Sequence, residues 1–374
     1  MALTADVVIA GAGVVGCAAA YFLAKQGAAV TVVEGRGIAT GPSGYAVGSL
    51  NPFTGDGIPG PLEALARASF QMHTAAWAEL IAESGVDFKP VMMPHLELAL
   101  DESYVPVLRA LQGRLDGDGM FRTRWLEAEE VTLLDDRLTP ESRGALLVES
   151  IGILDSYDYN VALAKGAERL GARLVKAEAI GLERQGGRVT AVSTTAGRID
   201  AGAFLAAMGT ESRTAGEWLG VPLPIVSLKG QILHLKAPGR RLGYSLHGEM
   251  SLVHKADGLV WVGGTEEHGK SDIATDLDGR SALAAQVRRM APGLEITVAS
   301  HTACLRPMSP DRLPVIGPAP SWENAYVATG AGRKGVLLAP AIGRAVADMV
   351  TKGRTDLPVS GMLFVPQRFR GVCL

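Results

Sequence analysis

Residues 6–34 read DVVIAGAGVVGCAAAYFLAKQGAAVTVVE, and this stretch decides the fold. The apolar run at 7–10 has the length of a fully buried strand and breaks into Gly11-Ala12-Gly13-Val14-Val15-Gly16. An apolar helix is predicted from there to Lys25, ended by Gly27, and a second buried strand at 30–33 closes on Glu34. Strand, glycine turn, helix, strand is the setting in which G-x-G-x-x-G binds a dinucleotide. Gly11 permits the tight turn, Gly13 lets the backbone approach a pyrophosphate, and Gly16 allows close helix–strand packing. The helix start points free N–H groups at the phosphates. Glu34 stands where a carboxylate bonds both hydroxyls of an adenosine ribose. An acid there disfavours a 2′-phosphate, which sets NADP aside and leaves FAD or NAD.

The chain of 374 residues is long enough for about two domains at ~150 residues each. A hydrophobic share of 47% with 20% charged residues is a soluble globular balance with a large core. The net charge of −3, without any run of Lys and Arg, offers no surface for nucleic acid. Three cysteines, Cys17, Cys304 and Cys373, are too few and too scattered for a metal site or a disulfide framework. A reducing cytoplasm is the simplest setting. The apolar N-terminus lacks a basic flank and is broken by glycines, so it reads as a buried strand and helix and not as a signal peptide or membrane span.

After Glu34 comes a glycine-rich crossing loop, GRGIATGPSGYAVGSLNP, whose length suits either a ligand-wrapping segment or a surface linker. Pro61 opens a helix to about Ser84, with His73 on its packed stripe. Residues 95–100 alternate as a half-buried strand, Val107 to Leu115 mark a helix, and 125–131 read as a solvated surface region. From Gly144 a strand at 145–148, a helix at 157–170 and strands at 174–183 and 189–194 follow. The apolar run at 204–209 ends at Gly209, a strand end suited to a cofactor. Between 220 and 299 the texture changes to strands at 226–235, 251–254 and 259–264, with one helix at 279–290. The expected fold is α/β, α+β overall: a Rossmann-like nucleotide-binding domain with an inserted, mainly antiparallel-sheet domain. The first domain takes 1–84, 144–215 and 301–355, the second takes 85–143 and 216–300, and 356–374 is a polar, peripheral tail.

The remaining chemistry lies in CLRPMSPDRLPVIGP at 304–318 and ATGAGRKGVLLAPAIG at 328–343, where three glycines lead into a helix. With these stretches in view, the chain resembles the FAD-dependent D-amino acid oxidase and glycine oxidase superfamily. The glycine oxidase, sarcosine oxidase and D-amino acid dehydrogenase branches stand nearest. The resemblance runs through the N-terminal fingerprint with Glu34, Ala46-Val47-Gly48, Lys229-Gly230-Gln231 and the strand end at 262–266. It continues through Leu305-Arg306-Pro307, Pro310-Asp311, Leu313-Pro314, Ile316-Gly317 and the turn and helix at 330–340.

The resemblance implies FAD held across the nucleotide domain, lined by Val14, Val15, Glu34, Gly35, Pro42, Ser43, Val47, Gly48 and Ser49. It puts adenine near Ala179, and the flavin pyrimidine among Ala331, Gly332, Arg333, Lys334, Gly335, Val336 and Leu337. Arg306 falls at the arginine that pairs with the substrate carboxylate in glycine-oxidase-like members, a role suited to its planar fork. The plainer reading of Arg306 is a bond to the flavin carbonyl or an acidic neighbour. Arg333 is a second residue of the substrate region, near the flavin. Three departures stand out. Ser251 replaces a substrate-binding tyrosine, Ser49 replaces a bulkier residue, and 259–264 lacks the lysine with which sarcosine oxidases activate oxygen.

The implied reaction is oxidation of the C–N bond of a small 2-amino acid (a D-amino acid, glycine or an N-alkyl glycine). Hydride passes from Cα to flavin N5, and the imine hydrolyses to a 2-oxo acid. Oxygen is the expected acceptor; the alternatives are a dehydrogenase that feeds a quinone or carrier, and a flavin-binding subunit of a heteromeric oxidase. No side-chain base is required, and His247, His254, His268 and His301 read as structural. No metal is expected, and the oligomeric state is open. Cys304 carries three readings: the covalent flavin link of the sarcosine-oxidase branch, a thiol beside non-covalent FAD, or a small buried residue. The Leu305-Arg306-Pro307 context favours non-covalent FAD.

Overall fold

The computed structural model describes residues 3–365 and 367–369. The Leu3–Ala10 strand, Val14–Lys25 helix and Val30–Val33 strand form in the order expected, and the two strands pair in parallel. They nucleate an eight-stranded sheet whose main path runs 315–318, 325–329, 197–206, 3–10, 30–33, 173–175. Its central pairs are parallel, so the strand ends at Ala10, Val33 and Ala206 lie along one edge. A hairpin of Ala179–Gln185 and Arg188–Thr194 extends the sheet beside Gly197–Ala206. The helices Val14–Lys25 and Gly335–Lys352 cross closely because Gly343 has no side chain: a Cβ there would stand 2.6 Å from the Ala18 carbonyl carbon.

A second, ten-stranded sheet is mostly antiparallel. It runs 267–268, 226–236, 259–263, 251–254, 245–247, 91–98, 145–153, 49–50, with Thr297–Met308 along the flank of Val226–Lys236. One face is apolar: Leu96, Leu98, Leu233, Leu235, Leu252 and Val262 pack with Leu283, Val287 and Met290 of the Leu277–Met290 helix. The strand period of two turns the intervening residues to the opposite face. That face looks towards the glycine turn of the first sheet.

Four expectations are corrected. The Ala145–Ile153 strand pairs in the second sheet, not with the nucleotide-binding strands, as do Ser49–Leu50 and Thr297–Met308. Local pattern shows a buried strand but not which sheet receives it. The 125–131 segment is not a solvated surface: Trp125 and Val131 are buried, and the Arg109 guanidinium lies 4.0 Å over the Trp125 ring. The 174–183 strand is two, Arg173–Val175 and Ala179–Gln185, which belong to different parts of the first sheet. The segment after 355 is not merely peripheral, since Val359, Met362 and Phe364 are buried and Arg368 bonds Asp311 at 2.8 Å. Cys373 lies outside the described residues. Among the described residues no helix is long and apolar enough to cross a membrane.

Candidate functional site

Between the two sheets lies a cavity of about 900 Å³. Its nucleotide end is built by the glycine turn. Gly11 has φ +105°, and a Cβ there would be 2.4 Å from the Ala207 carbonyl oxygen. Gly16 turns inward, with the Gly11 carbonyl oxygen 2.1 Å from where its Cβ would stand. A Cβ on Gly13 would meet only Ser43 Oγ at 3.4 Å, which leaves that backbone open to the cavity. Ser43 Oγ accepts the Val14 N–H at 3.0 Å and so ties the crossing loop to the start of the helix. Glu34 Oε2 accepts from Ala12 N at 3.1 Å and Oε1 from Arg36 N at 2.7 Å, which fixes the carboxylate at the cavity wall.

Apart from Gly16, every residue expected to bind cofactor lines this one cavity. Gly35, Pro42, Val15, Val47, Gly48 and Ala179 join Glu34 on the nucleotide side, and Gly209 caps the neighbouring strand end. The stretch Ala331, Gly332, Arg333, Lys334, Gly335, Val336, Leu337 forms the far wall at the start of the Gly335–Lys352 helix. The crossing loop is therefore a cavity wall, folded into a single turn of α-helix at Pro42–Tyr45 and a short strand at Ser49–Leu50. Ser49 Oγ is buried without a hydrogen-bond partner, a position that a ligand polar atom would satisfy. An elongated cavity with an open backbone approach, a pinned carboxylate and an orphaned hydroxyl fits a dinucleotide such as FAD.

Arg306 enters the same cavity from the Thr297–Met308 strand. Its Nη1 donates to the Thr265 carbonyl at 2.9 Å, and among the described residues it has no ion pair. Burial pulls its pKa down, yet a guanidinium keeps its charge, so this is a desolvated cation facing a cavity. Gly230 and Gly264 make its room: a Cβ at either would approach Nη2 to 2.0 Å or 2.9 Å. Arg333 is half-exposed and paired with Glu266 at 2.5 Å. Ser251 Oγ donates to the Gly263 carbonyl at 3.0 Å, leaving open space above it. Cys304 is buried at the cavity wall beside Gly230, and burial raises its thiol pKa.

Several polar residues of the site escaped sequence reasoning. His247, Glu97, Tyr104 and Asn51 also line the cavity. His95 Nε2 meets Glu97 Oε2 at 3.0 Å, Tyr104 donates to Glu97 Oε1 at 3.3 Å, and the rings of His95 and His247 stack at 4.0 Å. His95, Glu97 and His247 offer ligand atoms within 4.8 Å of one another. Rings stacked at 28° cannot aim their in-plane lone pairs at one ion, so we read a hydrogen-bonding cluster and no metal centre. Lys334 donates to the Asn51 carbonyl at 2.7 Å, and burial pushes its pKa down to about 7. Lys255 lies behind the wall, bonds the carbonyls of Val47 and Leu154, and is pushed down to about 8 by burial. The signal was present in the alternation of residues 95–100, whose polar face reads as solvent-facing but turns into the cavity. His73 is a core residue: Nε2 sits 2.9 Å from the Val336 carbonyl oxygen, and burial holds its pKa near 4.

Comparison with known proteins agrees with this geometry. Residues 6–349 match the model of the FAD dependent oxidoreductase family, DAO. A glycine oxidase of Bacillus licheniformis is 30% identical over 348 residues, covering 92% of each chain. A D-amino acid dehydrogenase of Rhizobium johnstonii is 27% identical, covering 94% of this chain and 97% of its own. The crystal structure of glycine oxidase from Geobacillus kaustophilus superposes with a TM-score of 0.92 at 26% identity, over 99% of this chain and 100% of that one.

Proposed function

The chain belongs to the family of FAD dependent oxidoreductases, and from that premise we propose that it oxidises the C–N bond of a small 2-amino acid, with oxygen as electron acceptor. The observation that carries the substrate class is Arg306, a desolvated cation that lines the same cavity as Glu34 and, among the described residues, has no ionic partner. A substrate carboxylate would supply the missing partner through a two-pronged contact. Bound FAD supplies the acceptor for the hydride leaving Cα. Glu34 and the open backbone at Gly13 would hold its nucleotide half, and the start of the Gly335–Lys352 helix presents its positive end at the opposite wall.

Residues of the chain position the reaction and exclude water from it. Arg306 fixes the carboxylate, which leaves the amine and Cα one defined orientation. None of the cavity residues needs to take the Cα proton if the amine binds neutral and Cα–H departs as hydride. In this reading the first sheet with its helices is the FAD-binding unit, the second sheet is the substrate unit, and FAD is held without a bond to Cys304. The similarity to a D-amino acid dehydrogenase favours a second reading, in which electrons leave to a quinone or carrier. Purified protein tests both: 2-amino acids bleach its flavin absorbance without air, and the rate of reoxidation by oxygen against that by a quinone or dye separates the acceptors. Failure of every 2-amino acid to bleach the flavin would overturn the proposal.

A further inference from the structure

The polar cluster of His95, Glu97 and His247 has no task in the proposed reaction, and the sheet register shows how it connects to the site. Gly263 pairs with Ser251, Ser251 with His247, and His247 with Glu97, one residue on each of four neighbouring strands. Residues directly opposite across a sheet share a face, so these four form one row along the cavity floor. The row starts at Gly263, under the Val47 side chain and next in the chain to Gly264, which abuts the Arg306 guanidinium, and it ends at Glu97 three strand spacings away, roughly 14 Å. Ser251 leaves the row open in the middle. His247 has no hydrogen-bond partner among the described residues, and its Nε2 is buried. A neutral imidazole with unmet capacity beside a carboxyl group is costly unless something binds there.

Resting on the amino acid reading above, we propose that this row is a side-chain subsite: the substrate's carboxylate sits on Arg306 and its side chain runs over Ser251 to end on His247 and Glu97. The charges select the class. Among the described residues, Glu97 and Lys334 are the carboxylate and ammonium around this cluster without an ion pair to an opposite formal charge, since Glu249 pairs with Arg289, Asp56 with Arg312 and Arg333 with Glu266. His95 and His247 are held neutral by burial. Whether Glu97 and Lys334 are both ionised or both neutral, they sum to no net charge, so an entering ammonium or carboxylate would be buried without a counter-ion of its own. A neutral group that both donates and accepts suffers no such penalty: it donates to Glu97 or an imidazole nitrogen and accepts from Lys334. The subsite therefore takes a 2-amino acid ending in a hydroxyl or carboxamide.

Near-isosteric substrates test this by the rate of anaerobic flavin bleaching, in both enantiomers: asparagine against leucine, homoserine against norvaline, glutamine against glutamate. The expected result is a preference of at least roughly tenfold in kcat/KM for the neutral polar member of each pair, as a site built to hydrogen-bond rejects analogues that cannot. In His247→Leu and Glu97→Gln the preference should fall towards one, whatever the absolute rates. Equal rates within pairs, a preference for the apolar or charged member, or an unchanged preference in both variants overturns the subsite and leaves amino acid oxidation standing. Bleaching by no amino acid at all overturns both.

Discussion

The Arg306 guanidinium occupies the space that a side chain on Gly230 would fill: a Cβ there would stand 2.0 Å from Nη2 and 2.2 Å from Cζ. The two residues lie on adjacent antiparallel strands, where Gly230 is paired with Cys304 and Leu228 with Arg306. Gly230→Ala should therefore displace the guanidinium and act like a change at Arg306 itself. Loss of a charged hydrogen bond costs about 1.5–3 kcal/mol, or roughly 10- to 150-fold in kcat/KM. Steady-state kinetics with a 2-amino acid, alongside FAD content, measure it. An unchanged kcat/KM would show that the guanidinium is free to relocate.

Glu34→Ala should weaken FAD by about 1.5–3 kcal/mol, the scale of hydrogen bonds to a charged group. Because Glu34 also accepts the Ala12 and Arg36 amides, the apo variant should unfold more readily too. Titration of apoprotein with FAD and a denaturant curve separate the two effects. A variant that binds FAD as tightly as the parent would remove Glu34 from the cofactor site.

Flavin should leave the protein when it is precipitated with acid. Burial raises the pKa of the Cys304 thiol, which disfavours the thiolate that a covalent link needs. A yellow supernatant, an unshifted protein mass and full FAD in Cys304→Ser are the expected results. Yellow colour that stays with the pellet, and is lost in Cys304→Ser, would establish the bond.

Stability should fall on mild acidification because buried histidines are held neutral. The folded pKa of His73 is near 4 and that of His95 near 3, against an ordinary value of 6.5. The unfolded chain then binds more protons, so the stability from these groups is complete above pH 6.5 and is lost as pH falls towards the folded values. For His73 the loss reaches about 3 kcal/mol by pH 4. Denaturant unfolding of apoprotein between pH 7 and 5 should show this slope, and His73→Leu should be less stable but less pH-dependent. An identical slope in that variant would mean that His73 binds protons alike in the folded and unfolded chain, so that burial does not lower its pKa.

The nucleotide half was legible because its information is local. Gly11, Gly13, Gly16 and Glu34 lie on one strand–turn–helix–strand unit, and period and punctuation define it. The glycine-to-helix turn at 330–337 was legible for the same reason. The row proposed as a side-chain subsite is made by register: Ser251, His247 and Glu97 line up only because three strands align across the second sheet. Alternation at residues 95–100 shows two faces, but it does not tell a face on water from a face on a cavity. Gly230 entered the reading as part of a motif, and its purpose became visible only when Arg306 was found lying against it.

The central claim is that Arg306 binds the carboxylate of an amino donor poised over FAD. The most direct measurement is anaerobic flavin reduction by 2-amino acids and by the matching amines that lack the carboxylate, in the parent protein and in Arg306→Lys. The account predicts rapid bleaching by acids and little by amines, with Arg306→Lys retaining FAD and losing roughly 30- to 1000-fold in kcat/KM for the acids, on the order of 2–4 kcal/mol. Equal bleaching by acids and amines, or an Arg306→Lys protein that turns over unchanged or loses its FAD, would contradict it.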